Sequence, residues 1–200
     1  MSILDKRNLL PELEDSILEL GCGPRKRIAH SIGIDIINYD CVDIVGDIYE
    51  VLHEVKNQSI GQIHSHHFFE HVHDVELLMS ELARILKSGG IVQITVPHFS
   101  NPYHYSDFSH RNTFGLYSFS YFARDSLFRK KVPHYTEQTS FVLEEARLVF
   151  KSSPPFYFRH AIKKILQVIF NLNRYAEEFY EENCCYFFPC YEFHFRLRRD

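Results

Sequence analysis

The sequence predicts an α/β domain built on a mostly parallel sheet, and two observations support that prediction. An apolar run at 16–19 ends in a Gly-Cys-Gly turn, and a second run at 31–35 ends in an acid, Asp35. A helical pattern at 72–86, with apolar residues at three-and-four spacing, leads through a short turn into the β-branched run IVQITV at 91–96. Strand, helix and strand joined by short turns form a right-handed parallel crossover.

The remaining elements follow from apolar periodicity and from helix-stopping residues. Residues 1–15 are polar and are expected to form a lead-in, and 49–56 a short helix or turn. We expect Gly89 and Gly90 to stop the long helix. Further strands are predicted at 42–45, 60–65, 141–150 and 191–198. The last of these alternates apolar with polar residues, and a helical insertion at about 154–188 precedes it.

Length and composition indicate a single domain over 1–200. The hydrophobic fraction of 45% and the charged fraction of 24% are ordinary for a globular protein. A net charge of −4 provides no general basic field, so nucleic acid is an unlikely partner. Five cysteines without a secretory signal are expected to be reduced thiols of a cytoplasmic protein. No apolar run approaches the roughly 18–20 residues of a transmembrane segment.

The Gly-Cys-Gly turn favours a cofactor that contains ribose. Gly21 and Gly23 let the backbone approach a ligand, and Asp35 at the next strand tip can accept from both ribose hydroxyls. Dinucleotides and S-adenosylmethionine both use this geometry, but the dinucleotide fingerprint needs a third glycine and a helix. Only nine residues separate Gly23 from Gly33, too few for a full helix with its turns. The stretch favours S-adenosylmethionine, with an ordinary tight turn as the alternative.

The motifs ELGCG, GID, GDI, SHHFFEHV and ELARILKSGGIVQITVPH, in that order, resemble class I S-adenosylmethionine-dependent methyltransferases. They are most similar to a small bacterial subgroup with a shortened first helix, over about 16–121. The resemblance implies a Rossmann-like, mostly parallel, seven-stranded methyltransferase sheet whose first crossover helix is reduced and whose last strand follows a helical insertion. We expect a cofactor-binding core at about 16–100 and a substrate loop at about 97–135.

The resemblance also assigns the cofactor to particular residues. The implied cofactor-binding set is Glu19, Gly21, Cys22, Gly23, Asp35, Ile36, Asp47, Ile48, Ser65, His66 and His67. Glu19 and the two glycines match the loop that holds the methionyl end, and Asp35 matches the ribose acid. Asp47 matches the acceptor from the adenine amino group, with Ile48 covering the ring. His66 departs from the family pattern, in which small residues are common.

The loop after the strand at 91–96 lies at the rim where α/β enzymes bind substrates. His98, Asp107 and His110 are suited to taking a proton, and the segment resembles the P-H-x-S-x-P…D-x-x-H loop of the same subgroup. We predict His110 or His98 as the general base. Tyr103 and Arg111 are predicted to bind substrate, Arg111 suiting an anionic acceptor. The alternative is a loop tied down by its own polar side chains.

The abundance of histidine, 13 residues in all, raises the question of a metal site. His67 and His71 are four residues apart, would share a helix face, and could hold zinc with further ligands. Neither a cysteine partner nor an HExxH pattern accompanies them. The sequence therefore predicts no metal, with these histidines packing and hydrogen-bonding locally.

These observations predict an S-adenosylmethionine-dependent methyltransferase whose acceptor is a small molecule, such as a sugar or another metabolite carrying a hydroxyl or amine. The alternatives are a protein or nucleic-acid methyltransferase and a non-catalytic S-adenosylmethionine-binding regulatory or partner subunit. The aromatic insertion could be a lid, a homodimer surface or core, of which lid or core is favoured. Its acidic residues Glu177, Glu178, Glu181 and Glu182 argue against an anionic lipid surface.

Overall fold

The computed structural model describes residues 2–124, 127–133 and 140–200, which form one mixed sheet with flanking helices. In chain order the elements are β1 (Leu4–Asp5), β2 (Ser16–Leu20), β3 (Ile32–Asp35), β4 (Ile44–Val45), α1 (Ile48–Glu54), β5 (Ile60–His66), α2 (Val75–Ile85), β6 (Leu86–Pro97), β7 (Phe141–Val149), α3 (Tyr157–Phe170), α4 (Arg174–Asn183) and β8 (Glu192–Arg199). The part of the predicted substrate loop at 125–126 and 134–135 lies outside the described residues.

The sheet has the strand order β1-β4-β3-β2-β5-β6-β8-β7. The strands β4, β3, β2, β5 and β6 are parallel to one another, while β8 runs antiparallel to both β6 and β7. The mostly parallel α/β fold is therefore confirmed. The described residues form eight strands rather than seven, because Leu4 and Asp5 of the expected lead-in pair with β4.

The connection from β2 to β3 contains no helix, as predicted, and the chain at 21–31 crosses as a loop. Asp43, buried just before β4, anchors part of it by accepting from Lys26 Nζ at 2.8 Å and from the Gly33 amide at 2.9 Å. Burial alone would raise the pKa of Asp43, but these hydrogen bonds and the Lys26 charge lower it. Side-chain contacts thus take the place of a packed helix here.

The helix predicted at 72–86 is confirmed as α2, which begins at Val75 after the cap residue Asp74. The Asp74 carboxylate accepts from the Leu77 amide at 2.9 Å, as an N-cap should. The prediction that Gly89 and Gly90 end this helix was wrong, because the helix ends at Ile85 and Leu86 is already extended at the start of β6. Its apolar face packs into the core with β2, β5 and β6. This packing fixes the central crossover.

The alternation predicted for the last strand holds for β8 with one exception. Phe193, Phe195 and Leu197 are buried and His194 is exposed, but Glu192, expected on the wet face, is also buried. Its carboxylate is balanced by His67 at 3.0 Å and by Lys151 at 2.9 Å. Burial of an acid therefore marks this end of β8 as unusual.

The insertion forms two helices, and the core interpretation is wrong for the outer side of α3. Leu166 and Phe170 face the core. An outward stripe at helical spacing is exposed instead and consists of Phe158, Ile162, Ile165, Ile169 and Leu172. None of the helices in the described ranges combines the length and the apolar character needed to span a bilayer.

Candidate active site

The two glycines after β2 form a corner that only small residues tolerate. Gly21 and Gly23 both have φ of +61°, in the left-handed region. A Cβ added at Gly21 would lie 2.4 Å from Cδ2 of Phe68, so that position is also closed by packing. A Cβ at Gly23 would meet no atom within 4 Å in the described structure. The open side of the corner is therefore at Gly23.

Asp35 at the tip of β3 is tied to this corner. Its Oδ2 accepts from the Gly23 amide at 2.8 Å, and its Oδ1 accepts from the Ile37 amide at 2.9 Å. Ile36 next to it is 56% exposed. The structure thus brings together the strand-tip acid and the glycine corner that the sequence assigned to one ligand.

Asp47 follows β4 at the same edge and begins α1. Its Oδ1 accepts from the Tyr49 amide at 3.0 Å and, at 3.4 Å, from the Glu50 amide, which makes it the N-cap. Ile48 is buried, so its side chain faces the core rather than the edge. The exposed Ile36 is better placed to cover a ring, and the role of Ile48 remains a prediction.

Glu19 is buried and holds the loop that replaces the first helix. Its two oxygens accept from the Arg27 amide at 2.8 Å and the Ile28 amide at 3.1 Å, and Ser31 Oγ donates at 2.9 Å. Glu19 therefore positions the glycine corner through its loop, and a direct contact with a cofactor remains a prediction.

Cys22 lies between the two glycines with its thiol buried. Burial, and then the nearby Asp35 carboxylate, raise the pKa of Cys22 to about 12. The thiol is consequently neutral and unreactive at physiological pH. Its predicted place in the cofactor set rests on the backbone of the corner.

The end of β5 carries three predicted cofactor residues with distinct environments. Ser65 is buried, and its hydroxyl has no hydrogen-bond partner within the described part of the chain. Burial and the neighbouring charge of His67 lower the pKa of His66 to about 4, so His66 is neutral. A cavity of about 210 Å³ adjoins Ser65 and His66 and reaches Glu19. A larger cavity of about 630 Å³ lies between α2 and Phe141.

His67 is held between two buried carboxylates that sequence reasoning did not assign to the site. Its Nδ1 lies 3.0 Å from Glu70 Oε1 and its Nε2 lies 3.0 Å from Glu192 Oε2. Burial alone would lower the pKa of His67, but these hydrogen bonds and charges raise it to about 9. Both ring nitrogens therefore carry protons at neutral pH.

Glu192 completes this group from β8. Burial would raise its pKa, but hydrogen bonds from His194, His67 and Lys151 lower it. Glu70 lies within the motif SHHFFEHV, which is visible in the sequence. The sequence around Glu192 does not indicate that this residue is buried, because its burial depends on the strands and side chains that lie next to β8 in the sheet.

His98 lies in the core, with no exposed surface. Its ring stacks on Phe99 at 4.3 Å and lies 4.9 Å from the ring of Phe193. Nδ1 accepts from the Ser100 amide at 2.9 Å, and burial lowers its pKa despite Glu181 nearby. The structure does not bring His98 to the open edge, which disfavours it as the base.

His110 and Asp107 lie in the loop that follows β6. His110 Nδ1 is 2.8 Å from the His104 carbonyl oxygen, and its Nε2 is 3.7 Å from Asp107 Oδ2. Asp107 is exposed, and two hydrogen bonds from Ser109 lower its pKa. Asp107 is therefore accessible at the rim, and the His110 side chain is 12% exposed, whereas that of His98 has no exposed surface.

Tyr103 and Arg111 are both exposed on the same loop. The Arg111 amide donates to the Glu70 carbonyl at 2.7 Å, which fastens the loop to the turn after β5. His67 and His71 do not share a helix face: residues 67–74 form turns, and α2 begins only at Val75. That part of the metal hypothesis was wrong.

Comparison with known proteins identifies the family and the fold. A family model described as a methyltransferase domain matches residues 2–167. The fold is similar to an S-adenosylmethionine-dependent methyltransferase from Archaeoglobus fulgidus, with 16% identity, 96% and 90% of the two chains covered, and a TM-score of 0.56. It is also similar to YcgJ from Bacillus subtilis (14%, 94% and 92%, 0.51) and to a putative sarcosine dimethylglycine methyltransferase from Galdieria sulphuraria (16%, 95% and 81%, 0.51). Comparison with curated proteins gives no match.

The fold and the family model define the class as a Rossmann-like, class I S-adenosylmethionine-dependent methyltransferase. Because the family model spans most of the chain, the chain belongs to the methyltransferase domain family. Its cofactor is accordingly S-adenosylmethionine.

Proposed function

We propose that this domain methylates a small-molecule acceptor, with the adenosyl group held at the corner formed by Gly23 and Asp35. One observation carries the proposal: Asp35 Oδ2 accepts from the Gly23 amide at 2.8 Å, while the space beside Gly23 is open. A carboxylate has about four acceptor positions, and backbone amides use two of those on Asp35. The others suit the two ribose hydroxyls.

Asp47 and Ile36 complete the proposed adenosine site. Asp47 uses one oxygen as the cap of α1, which leaves the other for the adenine amino group. The exposed Ile36 side chain covers one face of the ring. Glu19 acts as a positioning residue through the loop at 24–31.

S-adenosylmethionine supplies a methyl group already activated on a positively charged sulfur. The chain therefore has to orient the acceptor and remove its proton. We assign the second task to His110. Its Nδ1 donates to the His104 carbonyl, which can only accept, so the neutral ring has its lone pair on Nε2. Nε2 would take the acceptor's proton as the acceptor atom receives the methyl group that S-adenosylmethionine supplies.

The net charge of the chain and the residues of the loop after β6 favour a small acceptor. A net charge of −4 does not attract nucleic acid, which is itself negatively charged. Arg111 and Tyr103 are exposed on the same loop as the proposed base, and the Arg111 guanidinium suits a carboxylate or phosphate on the acceptor.

Calorimetric titration with S-adenosylmethionine tests the cofactor part of the proposal. Asp35→Ala should weaken binding at least about tenfold, since two hydrogen bonds to an ionised acceptor are lost. Asp40→Ala, an exposed aspartate in the following turn, is the matched control and should bind normally. Equal affinities for wild type and Asp35→Ala would reject the assignment.

Turnover tests the chemical part. S-adenosylhomocysteine release is measured against a panel of sugars, amines and small phosphate-bearing metabolites, with protein and nucleic acid included. His110→Ala should lower kcat by about 10²-fold or more while leaving cofactor affinity nearly unchanged. Cofactor binding without turnover on any acceptor would instead favour a regulatory subunit.

The cellular setting and assembly are further parts of the proposal. All five cysteines are free, which favours a reducing compartment and hence the cytoplasm. The exposed stripe of α3 favours a homodimer in which two such stripes cover each other. Light scattering of the purified chain measures its mass directly.

A further inference from the structure

Two loops bring an acid and two histidines together beside the edge of the sheet. Glu70 and His71 follow β5, and His110 comes from the loop after β6. One potential ligand atom from each lies within 4.8 Å of the other two. The rings of His71 and His110 are 4.8 Å apart at an angle of 67°. No sequence pattern signals this trio, because nearly forty residues separate its two parts.

Hydrogen bonding fixes which nitrogen of each ring is free. Ser109 Oγ donates to Asp107 Oδ1 at 2.6 Å, so at 3.0 Å it can only accept from His71 Nδ1. His110 Nδ1 donates to the His104 carbonyl at 2.8 Å. In its neutral form each ring therefore has its lone pair on Nε2. A ligand histidine is normally held in this way, by a partner on its other nitrogen.

Glu70 supplies an unsatisfied buried oxygen. Its side chain has no exposed surface, and Oε1 is engaged by His67 at 3.0 Å. Oε2 has no hydrogen-bond partner among the described residues. A buried polar oxygen without a partner is costly, and a bound cation would relieve that cost.

A second trio, His66, His67 and Glu192, also meets the distance criterion but is not equivalent. Both nitrogens of His67 donate to carboxylates, so no lone pair remains for a metal. Only the first trio has free donor atoms on every member.

We propose that Glu70, His71 and His110 bind a divalent transition-metal ion of the zinc class. Two imidazoles and one carboxylate form a ligand set that zinc accepts, and three protein ligands leave a fourth position open. Ligand atoms around zinc lie about 3.4 Å apart for bonds of about 2.1 Å, so the two loops close slightly on the ion. The ion occupies the His110 nitrogen that the proposed base would use, and zinc should therefore inhibit methyl transfer.

Metal binding is measured on the purified, EDTA-treated full chain by titration with Zn²⁺ and by Co²⁺ absorption. We expect one site whose cobalt spectrum shows nitrogen and oxygen ligands and no thiolate charge-transfer band. His71→Ala and Glu70→Gln should each weaken Zn²⁺ binding by more than about tenfold. His73→Ala, an exposed neighbour outside the trio, should not change it.

Ser109→Ala tests the metal site even if a variant of a ligand residue fails to fold. It leaves all three ligands but removes the partner of His71 Nδ1, so affinity should fall by about ten- to a hundredfold. Ser106→Ala, an exposed serine of the same loop, is the control and should bind as wild type. Absence of Zn²⁺ binding, a cobalt thiolate band, or equal affinities for Ser109→Ala and Ser106→Ala would each overturn the proposal. None of these readouts depends on methyl transfer.

Discussion

Replacing Glu19 with Ala should destabilise the domain more than any other single change near the glycine corner. The carboxylate accepts from two amides and one hydroxyl of the loop at 24–31, and the side chain is 3% exposed. Hydrogen bonds to charged groups contribute about 1.5–3 kcal/mol each and do not add fully, so we expect a loss of about 3–5 kcal/mol. Glu19→Gln keeps one acceptor oxygen and should lose roughly half of that.

Urea unfolding measures this loss, and Glu14→Ala is the matched control. Glu14 is exposed just before the same strand, so the free energy of unfolding of Glu14→Ala should differ from that of the wild type by less than about 0.5 kcal/mol. S-adenosylmethionine affinity of the folded Glu19→Ala protein should also fall, because the loop that carries Gly23 is released. A loss below about 1 kcal/mol would show that the loop does not depend on this carboxylate.

Three further results are expected. Gly21→Ala and Gly23→Ala both place a Cβ on a residue with φ of +61°, which costs about 1 kcal/mol. Only the Cβ of Gly21→Ala would meet Phe68, so this variant should have the clearly lower melting temperature. Equal melting temperatures would contradict the contact with Phe68. Because folding lowers the pKa of Asp43, this residue adds stability that is present above pH 3.8, its ordinary pKa, and is lost as the pH falls through the pKa of the folded protein. In Asp43→Asn the free energy of unfolding, measured by urea titration, should therefore depend less steeply on pH in the acid range. An unchanged pH dependence would refute this prediction. Ile165→Glu should reduce the mass seen by light scattering if α3 forms the homodimer, whereas an unaltered dimer would place the interface elsewhere.

The central crossover could be predicted from sequence because its signals are local. The stripe of α2 and the β-branched run of β6 each fix their own structure and need no distant partner. The glycine corner and Asp35 were found for the same reason: each is a strand end, and parallel strands end at one edge. Their hydrogen bond follows from that topology.

The missed features all depend on contacts between distant segments. Glu192 is buried because His67 and Lys151 approach it from two other parts of the chain. His98 looks accessible in sequence, yet the rings of Phe99 and Phe193 enclose it. The apolar stripe of α3 has the periodicity of a core helix, but this face of the helix is exposed to solvent. Periodicity identifies an apolar face without saying what covers it.

The most direct test of the account is a crystal structure of the domain with bound S-adenosylhomocysteine. We expect both ribose hydroxyls within hydrogen-bond distance of Asp35 and the amino-acid tail beside Gly23. A ligand bound elsewhere, or a corner filled by the Phe68 ring while the nucleoside lies outside it, would contradict the proposed site.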